Sequence, residues 1–112
     1  MSKKKIYISL PITGQDFEEV EARSIFTSVI IEEVGFEAVS PLEVSDNQDA
    51  PYEEHIGKDI TALLRCDAVL FLEGWQESKG CNLEHDAARI YGKMMFFSLD
   101  EIVRYKDENG IY

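Results

Sequence analysis

The run Ala68-Val69-Leu70-Phe71-Leu72 decides the fold, because it is apolar throughout and shows no alternation. A strand with one wet face alternates apolar and polar residues. A continuous run of this length reads as a central strand covered on both faces, as in a parallel sheet. Moving upstream, Ile56, Ile60, Leu63 and Leu64 share one face of a helix predicted from about Glu53 to Arg65. Asp59 falls three residues after Ile56 and four before Leu63, so it lies on the apolar stripe rather than opposite it. Downstream, Gly74 to Gly80 reads as a turn. A helix follows to about Tyr91, with Leu83, Ala87, Ala88 and Ile90 expected to face inward and Gly92 closing it.

The rest of the chain repeats this pattern. Lys5-Ile6-Tyr7-Ile8-Ser9-Leu10 is a strand stopped by Pro11 and Gly14. From Phe17 to Val34 apolar residues recur at helical spacing (Ala22, Ile25, Phe26, Val29, Ile30) among many glutamates, which predicts an amphipathic helix ended by Gly35. Phe36 to Ser40 is a short strand, and the polar loop from Pro41 to Pro51 is long enough to serve as a lid or rim. Met94 to Ser98 is a fourth, nearly all-apolar strand. Ser98 with Glu101 makes a capping box for a last helix, and Asn109-Gly110 turns the chain into a short tail.

The order β-α-β-α-β-α-β-α implies an α/β fold of parallel strands with right-handed crossovers and helices on both faces. The expected architecture is a three-layer, flavodoxin-like (Rossmann-like) domain with a sheet of about four strands in the order 2-1-3-4. Ligands in such sheets bind at the carboxyl ends of the strands, where the strand order reverses. Two loops meet there, Leu10 to Gly14 and Glu73 to Gly80.

Composition narrows the function classes. The 112 residues fit a single domain, 1–112, and 45% of them are hydrophobic. The formal charge of −11 opposes binding of polymeric nucleic acid or an anionic membrane, but leaves room for a small ligand at a local site. Cys66 and Cys81 form no disulfide framework, and with two histidines they give no metal-binding spacing. No stretch approaches the roughly 18 apolar residues of a membrane span, and the apolar run behind Lys3-Lys4-Lys5 is too short for a signal peptide. A cytoplasmic protein with no cofactor is expected.

At the switch point, Ser78-Lys79-Gly80 opens a helix whose free N–H groups favour an anion or an electron-rich oxygen, although Ser78 serves equally as an N-cap. Glu84 follows near that helix start, where the dipole is expected to hold it ionised, as suits a nucleophile. Asp59 on its buried stripe needs a partner, and Tyr7 can offer a hydroxyl from the first strand. Paired carboxylates in a crevice are the arrangement that glycosidic cleavage uses.

These residues carry a resemblance. Tyr7-Ile8-Ser9-Leu10-Pro11-Ile12-Thr13-Gly14, Asp59 with Leu63-Leu64-Arg65-Cys66-Asp67, and Gly74-Trp75 through Ser78-x-Gly80-x-x-x-Glu84 to Ala87 together resemble the nucleoside 2-deoxyribosyltransferase-like superfamily, including its nucleotide N-glycosidase branch. The resemblance implies an N-glycosyl hydrolase or transferase acting on a nucleoside or nucleotide. Glu84 would be the nucleophile at the anomeric carbon, with Asp59 and Tyr7 orienting it. Ser78 and Gly80 match positions that contact a 5′-phosphate, and Ile12 and Thr13 belong to the facing loop that would bind substrate. The chain departs from the family at Leu10, where a glycine is common, and at Thr13, where the nucleotide branch has an arginine. A neutral nucleoside is therefore as good a fit as a nucleotide. Trp75 is either a stacking face for a base or a seal at a subunit interface.

The resemblance also implies a homodimer or higher oligomer in which neighbours complete each other's sites, with the tail Ile111-Tyr112 a candidate contributor. The alternative function is a non-catalytic nucleoside- or nucleotide-binding or sensing module on the same fold. A phosphoacceptor receiver is excluded by the absence of an aspartate ending strand three, and a flavin carrier by the short loop from Pro11 to Gly14.

Overall fold

The computed structural model describes residues 3–44 and 50–109. Four parallel strands, β1 (Lys5–Ser9), β2 (Glu37–Val39), β3 (Ala68–Phe71) and β4 (Met94–Phe96), lie in the order β2-β1-β3-β4. Helices α1 (Phe17–Val34) and α5 (Leu99–Asn109) cover one face of the sheet, and α3 (Tyr52–Leu64) and α4 (Lys79–Ile90) cover the other. The expected flavodoxin-like α/β architecture and strand order are those observed. Among the described residues, no helix is long and apolar enough to cross a membrane.

β3 is buried at every position, as its unbroken apolar run requires. β1 solves a different problem by alternation. Ile6, Ile8 and Leu10 join the core beneath α1 and α5, whereas Tyr7 belongs to the cluster beneath α3 and α4 with Leu63, Val69 and Phe71. Side chains two apart on a strand share a face, so Ser9 points the same way as Tyr7. The register Tyr7↔Val69, with Val69↔Met95, carries that face across the sheet.

Three local expectations are revised. First, the stretch from Pro41 opens with a short helix, α2 (Pro41–Val44), rather than starting as loop; residues 45–49, which complete the expected lid or rim, lie outside the described residues. Second, α4 turns Cys81, Glu84 and Ala88 to the sheet, while Leu83 and Ile90, expected inward, are largely exposed. Apolar count alone would favour the other rotation. The acidic residue wins the interior because two hydroxyls on β1 meet it there. Third, the stripe whose spacing marks α1 as a helix is not the one the sheet takes. Val20, Ser24, Thr27 and Ile31 are buried, and Ile25 (58% exposed), Phe26 (62%) and Val29 face outward. Ser24 and Thr27 are small, and the Ser24 and Ser40 hydroxyls bond at 2.6 Å in the interior, which draws the helix down on that side.

The caps follow the sequence signals. Asp16 accepts the Glu19 amide at 3.2 Å and Ser98 accepts the Glu101 amide at 3.2 Å. Gly35 closes α1 in the left-handed region at φ 113, a conformation that a side chain would strain. The Asn109-Gly110 turn and the tail Ile111-Tyr112 fall at or beyond the end of the described residues.

Adjacent positions on α5 give a test of how that helix docks. Ile102 is fully buried and Val103 is 40% exposed. Ile102→Ala is expected to cost about 2–5 kcal/mol and Val103→Ala no more than about 0.5 kcal/mol, read as midpoint shifts in urea unfolding. Equal costs would mean that α5 is rotated from the orientation described.

Candidate active site

Glu84 is the sixth residue of α4 and is 4% exposed. Its two carboxyl oxygens each meet one hydroxyl from β1. Tyr7 Oη donates to Oε2 at 2.6 Å and Ser9 Oγ donates to Oε1 at 2.7 Å. Both are short bonds to an acidic acceptor, and they fix the carboxyl plane from two sides. Burial is the largest influence on Glu84 and pushes its pKa up to about 7; the Tyr7 and Ser9 hydrogen bonds pull it down, and the charge of Asp59 adds to the rise. The helix dipole does not hold the group ionised as expected, because its effect fades beyond the first turn and Glu84 sits past it.

Asp59 reaches the same place from α3. It is 9% exposed, its Oδ1 is buried without a hydrogen-bond partner, and burial pushes its pKa up to about 7. Tyr7, also buried, is driven well above the usual tyrosine range, first by burial and then by the Glu84 and Asp59 charges. It therefore stays a proton donor at neutral pH. The placement of donors separates the two carboxyls. Glu84 has two hydroxyls that favour its charged form and, among the described residues, Asp59 has none, so the placement of donors favours the charge on Glu84 over Asp59.

Both carboxyls line a cavity of about 300 Å³ at the carboxyl ends of β1 and β3. Leu10, Ile12 and Phe17 form one wall, Pro41 and Leu42 another, and Tyr52, His55 and Ile56 a third. Among the described residues, no lysine or arginine lines it. The mouth of α4 is built by Ser78, whose hydroxyl accepts the Cys81 amide at 3.2 Å, so it acts as an N-cap while also lining the cavity. Gly80 is the close-approach point. A Cβ there would stand 3.4 Å from Tyr52 Oη and 3.7 Å from Ile56, so a larger residue would press on that wall. The preceding loop is tied down: Arg23 Nη2 donates to the Glu73 carbonyl at 3.1 Å, and the Asn82 amide donates to the carbonyls of Gln76 (2.9 Å) and Ser78 (2.8 Å).

Of the residues expected from sequence, Glu84, Asp59, Ser78, Gly80, Ile12 and Thr13 line this one cavity, and Tyr7 stands behind it on Glu84. Trp75 does not line it. Gly74, at φ 91, starts a 3-10 turn that lays the indole on His85, with ring centroids 4.8 Å apart and planes 14° from parallel. Phe71 and Phe97 complete that cluster at 5.3 and 5.8 Å from the indole. Ser9, Tyr52, His55 and Phe17 escaped the sequence reading. The signal for Ser9 was its two-residue offset from Tyr7. For Tyr52, His55 and Ile56 it was helical spacing back from Asp59. Nothing local marked Phe17, which reaches the cavity only because α1 starts beside the first loop.

Chemically, the site offers a fixed, partly ionised carboxylate, a second carboxyl able to carry a proton, and an apolar chamber of small-molecule size. Comparison with known proteins places the fold. No curated protein matches the chain. Solved structures that do match include the 2-deoxyribosyltransferase of Leishmania mexicana, at 21% identity and TM-score 0.65 over 82% of this chain and 61% of that one. The 2-deoxyribosyltransferase of Bacillus psychrosaccharolyticus matches at 18% identity and TM-score 0.62, over 81% and 69% of the two chains. The CMP N-glycosidase of Clostridium botulinum matches at 22% identity and TM-score 0.55, over 82% and 66%. The chain thus spans about three-fifths to two-thirds of the length of these enzymes. Residues 4–97 match the family described as a domain of unknown function (DUF4406). With its strand order, its switch-point cavity and these structural neighbours, the chain belongs to the DUF4406 family and has the fold of the nucleoside 2-deoxyribosyltransferase-like superfamily.

Proposed function

We propose that the protein cleaves or transfers the N-glycosidic bond of a nucleoside, with Glu84 as nucleophile. The observation that carries the reading is the carboxyl pair in one apolar cavity, with both hydroxyl donors on Glu84 and, among the described residues, none on Asp59. The Glu84 carboxylate attacks the anomeric carbon as the bond from that carbon to the base nitrogen breaks. The bonding pair leaves with the base, which takes its proton from Asp59. Water or a second base then attacks the glycosyl ester, gives a proton back to Asp59 and frees Glu84, giving hydrolysis or transfer. Tyr7 and Ser9 hold the nucleophile against rotation, which keeps the attacking oxygen aimed.

The lining without lysine or arginine favours a neutral nucleoside over a 5′-phosphate, since a phosphate would enter a site already holding two acids. The neighbours named above, two deoxyribosyltransferases and a nucleotide N-glycosidase, support glycosidic chemistry as the class. A homodimer or larger assembly belongs to the same reading. Its support is the outward stripe of Ile25, Phe26 and Val29 on α1, which can form the apolar centre of a contact between two copies. A standard interface needs about 800 Å² per partner, so such a contact would extend beyond this stripe.

Base release from a panel of deoxynucleosides and their monophosphates tests the catalytic reading. Glu84→Gln is expected to lower the rate by at least about 10³-fold, and Tyr7→Phe by about ten- to a hundredfold for one lost bond to a charged group. Wild-type protein that is thermally stabilised by nucleosides yet releases no base would instead identify a binding module.

The pH profile should be a narrow bell centred near 7. Activity falls on the acid side as Glu84 is protonated and on the alkaline side as Asp59 loses its proton. In Asp59→Asn the alkaline limb should disappear while the acid limb stays in place, because Asp59 is already protonated and uncharged where Glu84 titrates. An alkaline limb that persists in Asp59→Asn would break the assignment.

Light scattering is expected to report a dimer or larger species, and Phe26→Glu to reduce it to monomer without loss of helicity. Wild-type protein that is monomeric at high concentration would refute the assembly.

A further inference from the structure

Helix α3 has a second cavity behind it. Its inner side gives Tyr52, His55, Ile56 and Asp59 to the candidate active site, while its outer side gives Gly57, Lys58, Thr61, Ala62 and Arg65 to a groove of about 460 Å³. The opposite bank of the groove is Lys5 at the start of the inner strand β1, Val39 at the end of the edge strand β2, and Val44 at the end of α2. Cys66 completes the lining, and burial pushes its thiol up to about 11, so it adds no negative charge at neutral pH.

The groove's charge runs against that of the molecule. The chain carries 22 acidic and 11 basic residues in 112, so nine lining residues drawn at that composition would hold about two acids and one cation. They hold no acid and three cations, Lys5, Lys58 and Arg65. Acidic neighbours stand just outside: Glu54 meets Lys58 at 3.5 Å on the exposed helix face, and Asp67 accepts the Lys5 backbone amide at 2.8 Å. They leave the Arg65 guanidinium without a carboxylate within 4 Å among the described residues.

Gly57 supplies an independent observation. Glycine inside a helix weakens it relative to alanine, and is retained where something approaches the backbone closely. The Thr61 hydroxyl donates to the Gly57 carbonyl at 2.9 Å, but no described residue stands where a Gly57 side chain would be. A Cβ on Gly57 would meet no atom within 4 Å, and its φ is not positive. Among the described residues, the helix surface at Gly57 therefore opens onto the groove.

We infer that this groove is a second binding site, separate from the candidate active site, for a phosphate-type anion held between Lys5, Lys58 and Arg65 against the bare backbone at Gly57. The anion can be free phosphate or the phosphate of a small metabolite whose uncharged part lies on Val39, Val44 and Ala62. The guanidinium offers paired donors to two anion oxygens and the lysines supply point charges. The site is independent of the proposed catalysis and is read without it.

Amide NMR of the Glu84→Gln protein, titrated with inorganic phosphate, pyrophosphate and adenosine 5′-monophosphate, tests this directly. Saturable shifts are expected at Gly57, Lys58, Thr61, Ala62 and Lys5. Tighter binding of the monophosphate than of phosphate would identify a metabolite, and equal binding would identify the free ion. Arg65→Ala combined with Lys58→Ala should weaken binding at least tenfold. Gly57→Glu should abolish it, and Gly57→Ala should raise the melting temperature while weakening binding several-fold. The inference is overturned if shifts are unsaturable, if they centre on Lys79 to Cys81 at the mouth of α4, or if affinity survives both Gly57→Glu and the double substitution.

Discussion

A carboxyl group buried beneath a helix is costly unless donors meet it, and much of this structure is arranged around the two that meet Glu84. Tyr7 and Ser9 must leave the same face of β1, which sets how that strand presents itself to α3 and α4. Cys81, Glu84 and Ala88 must then face the sheet, which sets the rotation of α4 and turns Leu83 and Ile90 out. The remaining face of β1 is left to Ile6, Ile8 and Leu10, and these form the core with α1 and α5.

Asp59 has no such provision. Its buried Oδ1 lacks a partner in a protein whose other buried side-chain polar atoms, among the described residues, have one. Unpaired acids in apolar surroundings hold their protons, and that turns a stability cost into a supply of protons at neutral pH. Glu84 and Asp59 thus resemble each other in burial and differ in donors, and the difference gives them separate roles in the proposed chemistry.

Much of this was legible in the sequence, for identifiable reasons. The unbroken run at β3 and the glycines and prolines at the turns gave the parallel sheet and its order. Asp59 stood out because an acid on an apolar stripe contradicts its own helix. What sequence could not supply was rotation about a helix axis. α1 and α4 each have two defensible inward faces, and small residues or hydrogen bonds choose between them: Ser24 with Ser40 in one case, Glu84 with β1 in the other. Trp75 lies away from the cavity for a related reason. A loop position next to a site does not say on which side of the following helix an indole will come to rest, and here His85 and Phe97 take it.

The alternation of β1 has a consequence for how this protein can change over time. Slipping the strand by one residue would put Ile6 and Ile8 under α4 and Tyr7 and Ser9 under α1. The core would receive two hydroxyls and Glu84 would face hydrocarbon, so the fold and the site would fail together. Insertions or deletions within β1 are therefore closed to this lineage. Change must enter through the loops that follow the strands.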